Sequence, residues 1–144
     1  MMLGAAATRT VRGMGAPAGD SVGVLAVDDQ SIFLDVARDV VAATPGFSWV
    51  GGAKSAEEAL GAIDDLQPDL VLMDVRMPGM DGIEAAQRIC RKHAQVVVVL
   101  ISIEESPVIT AAIEASGAAA LVQKREFSPA MLRRLWLAYK KPDG

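Results

Sequence analysis

The sequence predicts an α/β domain in which five parallel strands alternate with five helices, a (βα)5 fold. Five short segments are rich in β-branched and aliphatic residues, and several are apolar at every position, as strands covered on both faces must be. After each of them comes a segment whose apolar residues recur at helical spacing. Such alternation predicts a doubly wound parallel sheet flanked by helices on both faces, and five strands suit the order 2-1-3-4-5.

The predicted elements have clear limits in the sequence. The five strands cover residues 22–27, 47–53, 69–74, 96–101 and 119–123. The first helix carries a stripe formed by Ile32, Phe33, Val36, Ala37, Val40 and Val41. A capping box at Ser55–Glu58 marks the start of the second helix, and the pairs Ser106-Pro107 and Ser128-Pro129 mark the starts of the fourth and fifth.

The length of 144 residues predicts one domain, which we place at residues 21–140. Residues 1–20 are rich in glycine and alanine without any period, and we expect a flexible leader there. Residues 141–144 are expected to be a short tail or the start of a linker. Hydrophobic residues make up 51% of the chain but aromatic ones only 4%, so the core must consist mainly of aliphatic side chains.

Charge and cysteine content exclude several classes of protein. A net charge of -4 argues against a nucleic-acid surface on this chain, which would need a basic patch. The single cysteine, Cys90, rules out an intrachain disulfide and suits a reducing compartment. Apolar runs such as 96–101 are too short to span a bilayer. We therefore expect a cytoplasmic domain that does not enter a membrane.

Charged and polar residues stand where four of the predicted strands end. Asp28 and Asp29 follow the first strand, Asp74 ends the third, and Ser102 and Lys124 directly follow the fourth and the fifth. In the order 2-1-3-4-5 these four strands are neighbours, and ligands of such sheets bind outside the carboxyl ends of the strands. The sequence thus predicts one pocket that holds three carboxylates, a hydroxyl and an ammonium group.

The chemistry of this pocket follows from its charges. Three close carboxylates repel one another unless a cation intervenes, and oxygen ligands on loops suit Mg²⁺. A metal ion, Lys124 and Ser102 around Asp74 are the groups that a transferring phosphoryl group requires, since this reaction depends on positioning and electrostatics. Asp74 is then the nucleophile, and the product is an aspartyl phosphate.

Four motifs on these strand ends resemble the receiver domain of two-component response regulators. They are "VDDQ" at 27–30, "LMDVRMPGMDG" at 72–82, "LIS" at 100–102 and "GAAALVQK" at 117–124. The resemblance covers about residues 21–140. It implies phosphorylation by a sensor histidine kinase or a histidine phosphotransfer protein. It also implies a switch in the face formed by the fourth helix, fifth strand and fifth helix, through which receiver domains also form homodimers.

The resemblance implies a role for each residue of the pocket. Asp74 matches the phosphoacceptor, Ser102 the switch hydroxyl and Lys124 the ammonium that pairs with the phosphoryl group. The implied Mg²⁺ ligands are Asp28, which acts largely through water, Asp29, Asp74 and the backbone carbonyl of Arg76. Pro78, Asp81 and Gly82 are expected to shape the loop after the phosphoacceptor.

The sequence departs from the family pattern at two positions. Arg125 stands where the family usually has a proline in a cis bond, and a cis bond before any other residue costs about 2.5–4 kcal/mol, so we expect a trans bond. Leu121 stands where the family usually has a tyrosine or phenylalanine that swings inward on activation. The coupling between Ser102 and the outer face of the domain is therefore expected to differ from the usual one in the family.

Two further sets of residues have candidate roles. Arg76 and Glu104 lie two residues past Asp74 and Ser102, and we hypothesise that they pair across the pocket mouth and hinder attacking water. Trp136 and Tyr139 on the last helix have two interpretations. They are either partly buried aromatics of an ordinary helix or anchors of a partner face, where tryptophan, tyrosine and arginine are enriched.

Two alternative functions remain open from the sequence. A haloacid dehalogenase-like phosphatase also uses a strand-end aspartate, but it requires a second aspartate where Arg76 stands. A receiver fold that signals without phosphate is compatible with Leu121 and Arg125, although the intact acidic residues and Lys124 disfavour it. The output is either docking by a stand-alone receiver or, as we favour, a further domain of a transcription regulator that would contact DNA.

Overall fold

The computed structural model describes residues 21–103 and 107–142, and it confirms the predicted five-stranded parallel sheet. The strands are β1 (Val22–Val27), β2 (Phe47–Ala53), β3 (Leu70–Asp74), β4 (Val97–Ser102) and β5 (Ala120–Gln123), in the spatial order β2-β1-β3-β4-β5. The helices are α1 (Ser31–Ala42), α2 (Ala56–Leu66), α3 (Gly82–Lys92), α4 (Pro107–Ser116) and α5 (Pro129–Tyr139). A single 3₁₀ turn, Lys124–Glu126, follows β5.

The sheet separates two apolar layers. Side chains alternate across each strand, so Leu25 and Val27 of β1 pack into one layer and Val24 and Ala26 into the other. The first layer also contains buried residues of α2, α3 and α4, and the second contains buried residues of α1 and α5. Every residue of β3 and β4 is buried, as strands covered on both faces must be.

Helix α1 buries only part of the apolar stripe seen in the sequence. Phe33, Ala37 and Val41 are buried against the sheet, at a spacing of four residues. Ile32 and Val36 are 78% and 43% exposed, so the apolar stripe of the sequence is wider than the buried face of the helix. Each precedes a buried residue by one position, and one residue rotates a helix by about 100°, which carries both side chains away from the sheet.

Polar caps fix the starts of three helices. The Ser55 hydroxyl accepts a hydrogen bond from the backbone N–H of Glu58 at 3.0 Å, which confirms the predicted start of α2. Ser128 caps α5 in the same way, and Asp81 caps α3 by accepting from the N–H of Glu84 at 2.8 Å. The predicted cap Ser106 lies outside the described residues.

The predicted leader, residues 1–20, also lies outside the described residues, as do residues 143–144 of the predicted tail. Within the described part of the chain, none of the helices combines the length and the apolar character needed to cross a membrane.

Candidate functional site

The sheet topology brings the predicted strand-end residues to one edge. Val27 of β1 is aligned with Met73 of β3, so the next residues, Asp28 and Asp74, lie side by side at the carboxyl edge of the sheet. Asp74 is in turn aligned with Ile101, and Ser102 with Gln123, the residue before Lys124. The carboxyl ends of β1, β3, β4 and β5 therefore present their polar residues to a common pocket.

Three carboxylates cluster in this pocket. One oxygen each of Asp28, Asp29 and Asp74 lies within 4.8 Å of the others. Asp28 is completely buried, Asp74 is 6% exposed, and Asp29 is exposed to solvent. The cluster is thus open on one side, and its oxygen-only donors suit a hard divalent cation that keeps some of its water ligands.

Backbone groups of the following loops orient the two buried carboxylates. The N–H of Gln30 donates to Oδ1 of Asp28 at 2.8 Å, and the N–H of Arg76 donates to Oδ1 of Asp74 at 3.4 Å. In each case the donor lies two residues after the aspartate, a local arrangement that aspartate favours at turns. The Oδ2 atoms of both aspartates remain directed towards other groups of the pocket.

Lys124 brings a positive charge to both of these Oδ2 atoms. Its Nζ lies 2.6 Å from Oδ2 of Asp28 and 3.8 Å from Oδ2 of Asp74. The side chain is 15% exposed. Lys124 begins the 3₁₀ turn after β5, and the bond to Arg125 is trans, as we expected, because the described residues contain no cis peptide bond.

The electrostatics of the pocket raise the pKa of Asp74 to about 6, from an ordinary value of 3.8. Burial of the carboxyl group is the largest cause, and the nearby charge of Asp28 adds to it. Lys124 and the hydrogen bond from Arg76 act in the opposite direction but do not offset these effects. Asp74 is therefore a carboxylate for which additional positive charge would be strongly favourable.

The loop after Asp74 folds back tightly onto the end of β3. The N–H of Val75 donates to the carbonyl of Ile101, and the N–H of Gly82 donates to the carbonyl of Val75. A β-carbon at position 82 would collide with the backbone carbonyl of Asp74, so this close approach requires a glycine. Pro78 and Asp81 lie in this loop, as the sequence indicated, and they line a cleft of about 530 Å³ beside it.

One contact to this loop could not be predicted from the sequence. The Glu57 carboxylate, on α2, accepts a hydrogen bond from the N–H of Met80 at 3.3 Å. Gly79 has a φ of +81°, and a β-carbon there would lie 3.2 Å from Oε2 of Glu57. A glycine directly after Pro78 was the available sequence signal for such a turn, but nothing in the sequence paired it with a residue of α2.

The remaining predicted residues lie around the pocket or away from it. Ser102 is buried at the end of β4, and Arg76 is exposed at the cleft. Leu121 is half-buried and packs against the layer formed with α2, α3 and α4. Glu104 lies outside the described residues, so its pairing with Arg76 stays a prediction.

Trp136 and Tyr139 lie on α5, away from this pocket. Trp136 is half-buried and packs against the layer formed with α1, whereas Tyr139 is exposed at the end of the helix. Arg133 and Arg134 are exposed on the same helix. The packing of Trp136 agrees with its interpretation as a partly buried aromatic of an ordinary helix. Tyr139 is exposed, and its role in a partner face stays a prediction.

Comparison with known proteins identifies the family. Residues 24–135 match the response regulator receiver domain. The chain belongs to this family. The receiver domain is 37% identical over 117 residues to the response regulator GacA of Pseudomonas viridiflava, a match that covers 81% of this chain and 54% of the relative. The chain thus spans about half the length of the curated relatives that it matches.

A second curated relative matches the same part of this chain but has the name of an enzyme. It is the protein-glutamate methylesterase/protein-glutamine glutaminase of Thermotoga maritima, 32% identical over 122 residues, with 78% of this chain and 36% of the relative covered. Receiver domains therefore occur in proteins with different outputs.

Solved structures support the same assignment. The response regulator domain of Thermotoga maritima CheB superimposes with a TM-score of 0.74 and 30% identity, covering 82% of this chain and 96% of that one. The signal receiver domain of the putative response regulator NarL from Mycobacterium tuberculosis gives a TM-score of 0.75 and 28% identity, covering 83% and 95%. The fold and its family are therefore shown by sequence and structure alike.

Proposed function

We propose that this receiver domain accepts a phosphoryl group on Asp74, with Mg²⁺, from the phosphohistidine of a sensor histidine kinase or a histidine phosphotransfer protein. The observation that carries the proposal is the arrangement around Asp74. Three carboxylates lie within 4.8 Å of one another, and the ammonium of Lys124 is 3.8 Å from the Asp74 carboxylate. This set can bind a divalent cation and also meet the charge of a phosphoryl group.

The residues present fit a magnesium ion. The three carboxylates carry more negative charge than Lys124 can balance, and the raised pKa of Asp74 reflects burial and this excess. Asp28, Asp29 and Asp74 would hold the ion together with the backbone carbonyl of Arg76. When bound, Mg²⁺ neutralises charge on the phosphoryl oxygens.

The transfer itself is a displacement at phosphorus. A carboxylate oxygen of Asp74 forms the new P–O bond as the P–N bond to the donor histidine breaks, and the electron pair of that bond returns to the imidazole nitrogen. Lys124 then pairs with the phosphoryl oxygens, for which it must loosen its 2.6 Å contact with Asp28. Ser102, at the end of the adjacent strand β4, supplies the hydroxyl that responds to the phosphoryl group.

Helix α1 offers a surface for the phosphodonor. It begins two residues after Asp29, and Ile32 and Val36 are exposed on it, one turn apart. Two exposed aliphatic side chains beside a pocket mouth suit an amphipathic helix of a partner that carries the phosphohistidine. A cytoplasmic location is part of the same proposal, because the domain must meet this donor.

Phosphorylation would change the state of the domain through charge. Phosphorylation replaces the Asp74 carboxylate by an acyl phosphate that carries about -1.5 to -2 charges, and this change biases the loop after β4 and the face formed by α4, β5 and α5. Leu121, half-buried on β5, stands where the family usually has an aromatic residue. The change would therefore be transmitted without an aromatic side chain at this position. The output that we propose is control of transcription through a further domain or a partner, with homodimerisation through the same face.

Intact mass after incubation with acetyl phosphate and Mg²⁺ tests the proposal. We expect one phosphoryl addition in the wild type, and none with a chelator or in Asp74→Asn. The variant Asp65→Asn is a matched control, because Asp65 is exposed on α2 and lies outside the carboxylate cluster. Absence of any addition in the wild type would overturn the proposal and favour signalling without phosphate.

A further inference from the structure

The aromatic ring of Phe33 lies beneath the ammonium group of Lys124. The Lys124 Nζ is 5.2 Å from the ring centroid, within the distance at which a cation is attracted to the face of an aromatic ring. Phe33 belongs to α1 and is 7% exposed, so the contact is sheltered from water. Attraction of this kind is larger where the groups are desolvated.

The ring is held in place by the buried layer on the α1 side of the sheet. Phe127 packs beside it with ring centroids 6.1 Å apart, a distance typical of aromatic pairs. Phe127 follows the 3₁₀ turn that begins at Lys124, and its N–H donates to the Lys124 carbonyl. The two phenylalanines therefore connect the helix that follows Asp29 to the turn that carries Lys124.

The ring differs from the other two neighbours of the ammonium in one respect. Asp28, at 2.6 Å, and Asp74, at 3.8 Å, both change their charge environment when a cation binds and when a phosphoryl group arrives. The face of the Phe33 ring does not titrate, bind metal or accept phosphate. It is thus a constant partner for an ammonium group that must exchange one carboxylate for a phosphoryl group.

We infer that Phe33 is a positioning residue for phosphoryl transfer, whose ring face keeps the Lys124 ammonium in the pocket while it leaves Asp28 for the phosphoryl group on Asp74. This inference rests on the proposed function. Without the ring, the flexible lysine side chain would gain freedom to turn towards solvent, and a smaller fraction of molecules would be ready to stabilise the transferring group.

Graded fluorination of the ring separates this role from simple packing. Mono-, di- and trifluorinated phenylalanine at position 33 keep the ring nearly unchanged in size but weaken the electrostatic attraction of its face for a cation. We expect the rate of phosphorylation by acetyl phosphate to fall stepwise, by roughly three- to tenfold over the series. The same series at Phe127, which packs on the Phe33 ring, is the control and should change the rate by less than about twofold.

Nuclear magnetic resonance tests the geometry without any phosphorylation. The methylene protons next to the Lys124 ammonium should resonate upfield of those of Lys141, because they lie over an aromatic ring. Phe33→Leu should remove this difference, whereas Phe127→Leu should retain it. A wild-type protein without the upfield shift would overturn the inference.

The outcomes distinguish the inference from the proposed function. A wild-type protein that takes up no phosphoryl group overturns both, even if the upfield shift is present. A wild-type protein that is phosphorylated normally, but whose rate responds equally to fluorination at positions 33 and 127, overturns the role of Phe33 alone.

Discussion

The ammonium nitrogen of Lys124 lies 2.6 Å from Oδ2 of Asp28, much closer than its 3.8 Å distance from Oδ2 of Asp74. Asp28 is completely buried, and Lys124 places a positive charge directly against its carboxyl group. Lys124 attracts the more distant Asp74 carboxylate less strongly, and the pKa of Asp74 is raised to about 6. The two aspartates thus differ in their electrostatic environment, although both belong to the same cluster.

Removal of the Lys124 charge should destabilise the fold through Asp28. We expect Lys124→Met to lower the free energy of unfolding at neutral pH by about 3 kcal/mol, because a buried carboxylate is left without its cation. The double variant Lys124→Met/Asp28→Asn should recover part of this loss, since neither charge remains. Urea denaturation of both variants and of Asp28→Asn measures the coupling. Strictly additive effects would contradict the importance of this ion pair.

The raised pKa of Asp74 predicts how stability depends on pH. Between pH 3.8, the ordinary pKa, and about pH 6, the folded state retains a proton that the unfolded state releases, so stability falls as pH rises through this range. Asp74→Asn removes the ionisation and should increase the free energy of unfolding by about 1–3 kcal/mol above neutral pH. The gain should shrink as the pH falls below about 6. Urea denaturation in the presence of a chelator checks this, and a gain independent of pH would contradict it.

Magnesium should stabilise the folded domain by binding between its carboxylates. Millimolar Mg²⁺ is expected to raise the thermal unfolding midpoint of the wild type, because the ion binds the folded cluster more tightly than the unfolded chain. Asp29→Asn should abolish most of this increase without much change in the metal-free midpoint, since Asp29 is exposed. Asp65→Asn is again the matched control. An equal response of Asp29→Asn and the wild type would contradict the predicted site.

The contact between Glu57 and Met80 predicts local protection of the loop after Asp74. Glu57→Ala should accelerate hydrogen exchange of the Met80 amide, because its acceptor at 3.3 Å is lost. Glu57→Gln keeps a side-chain oxygen that can accept the bond and should retain most of the protection. The contact is exposed, so the cost to global stability should be about 1 kcal/mol or less. Unchanged exchange of Met80 in Glu57→Ala would show that the contact is not formed in solution.

The fold and the acidic pocket could be predicted because both depend on rules that act along the chain. Alternating strands and helices determine a parallel sheet, and the strand order determines which strand ends are neighbours. Asp28 and Lys124 directly follow a predicted strand and Asp74 is the last residue of one, so their sequence positions translate into proximity. The trans bond before Arg125 followed in the same way, from the intrinsic cost of a cis bond.

Contacts between distant elements could not be predicted in this way. Ile32 and Val36 are apolar members of a wide stripe, and only packing against the sheet decides which side of that stripe is buried. Glu57 and Met80 are separated by 23 residues, and each had an ordinary local interpretation. The sequence pattern identifies Phe33 only as a member of the apolar stripe, because its position under Lys124 depends on the 3₁₀ turn after β5.

Chemical trapping of the aspartyl phosphate tests the central claim most directly. The domain would be phosphorylated with acetyl phosphate and Mg²⁺, reduced with borohydride and digested, and the peptides would be sequenced by mass spectrometry. Reduction converts a phosphorylated aspartate to homoserine, and we expect this product at position 74 in the wild type and nowhere in Asp74→Asn. Homoserine at Asp28 or Asp29 instead, or at no position at all, would contradict the assignment of Asp74 as the phosphoacceptor.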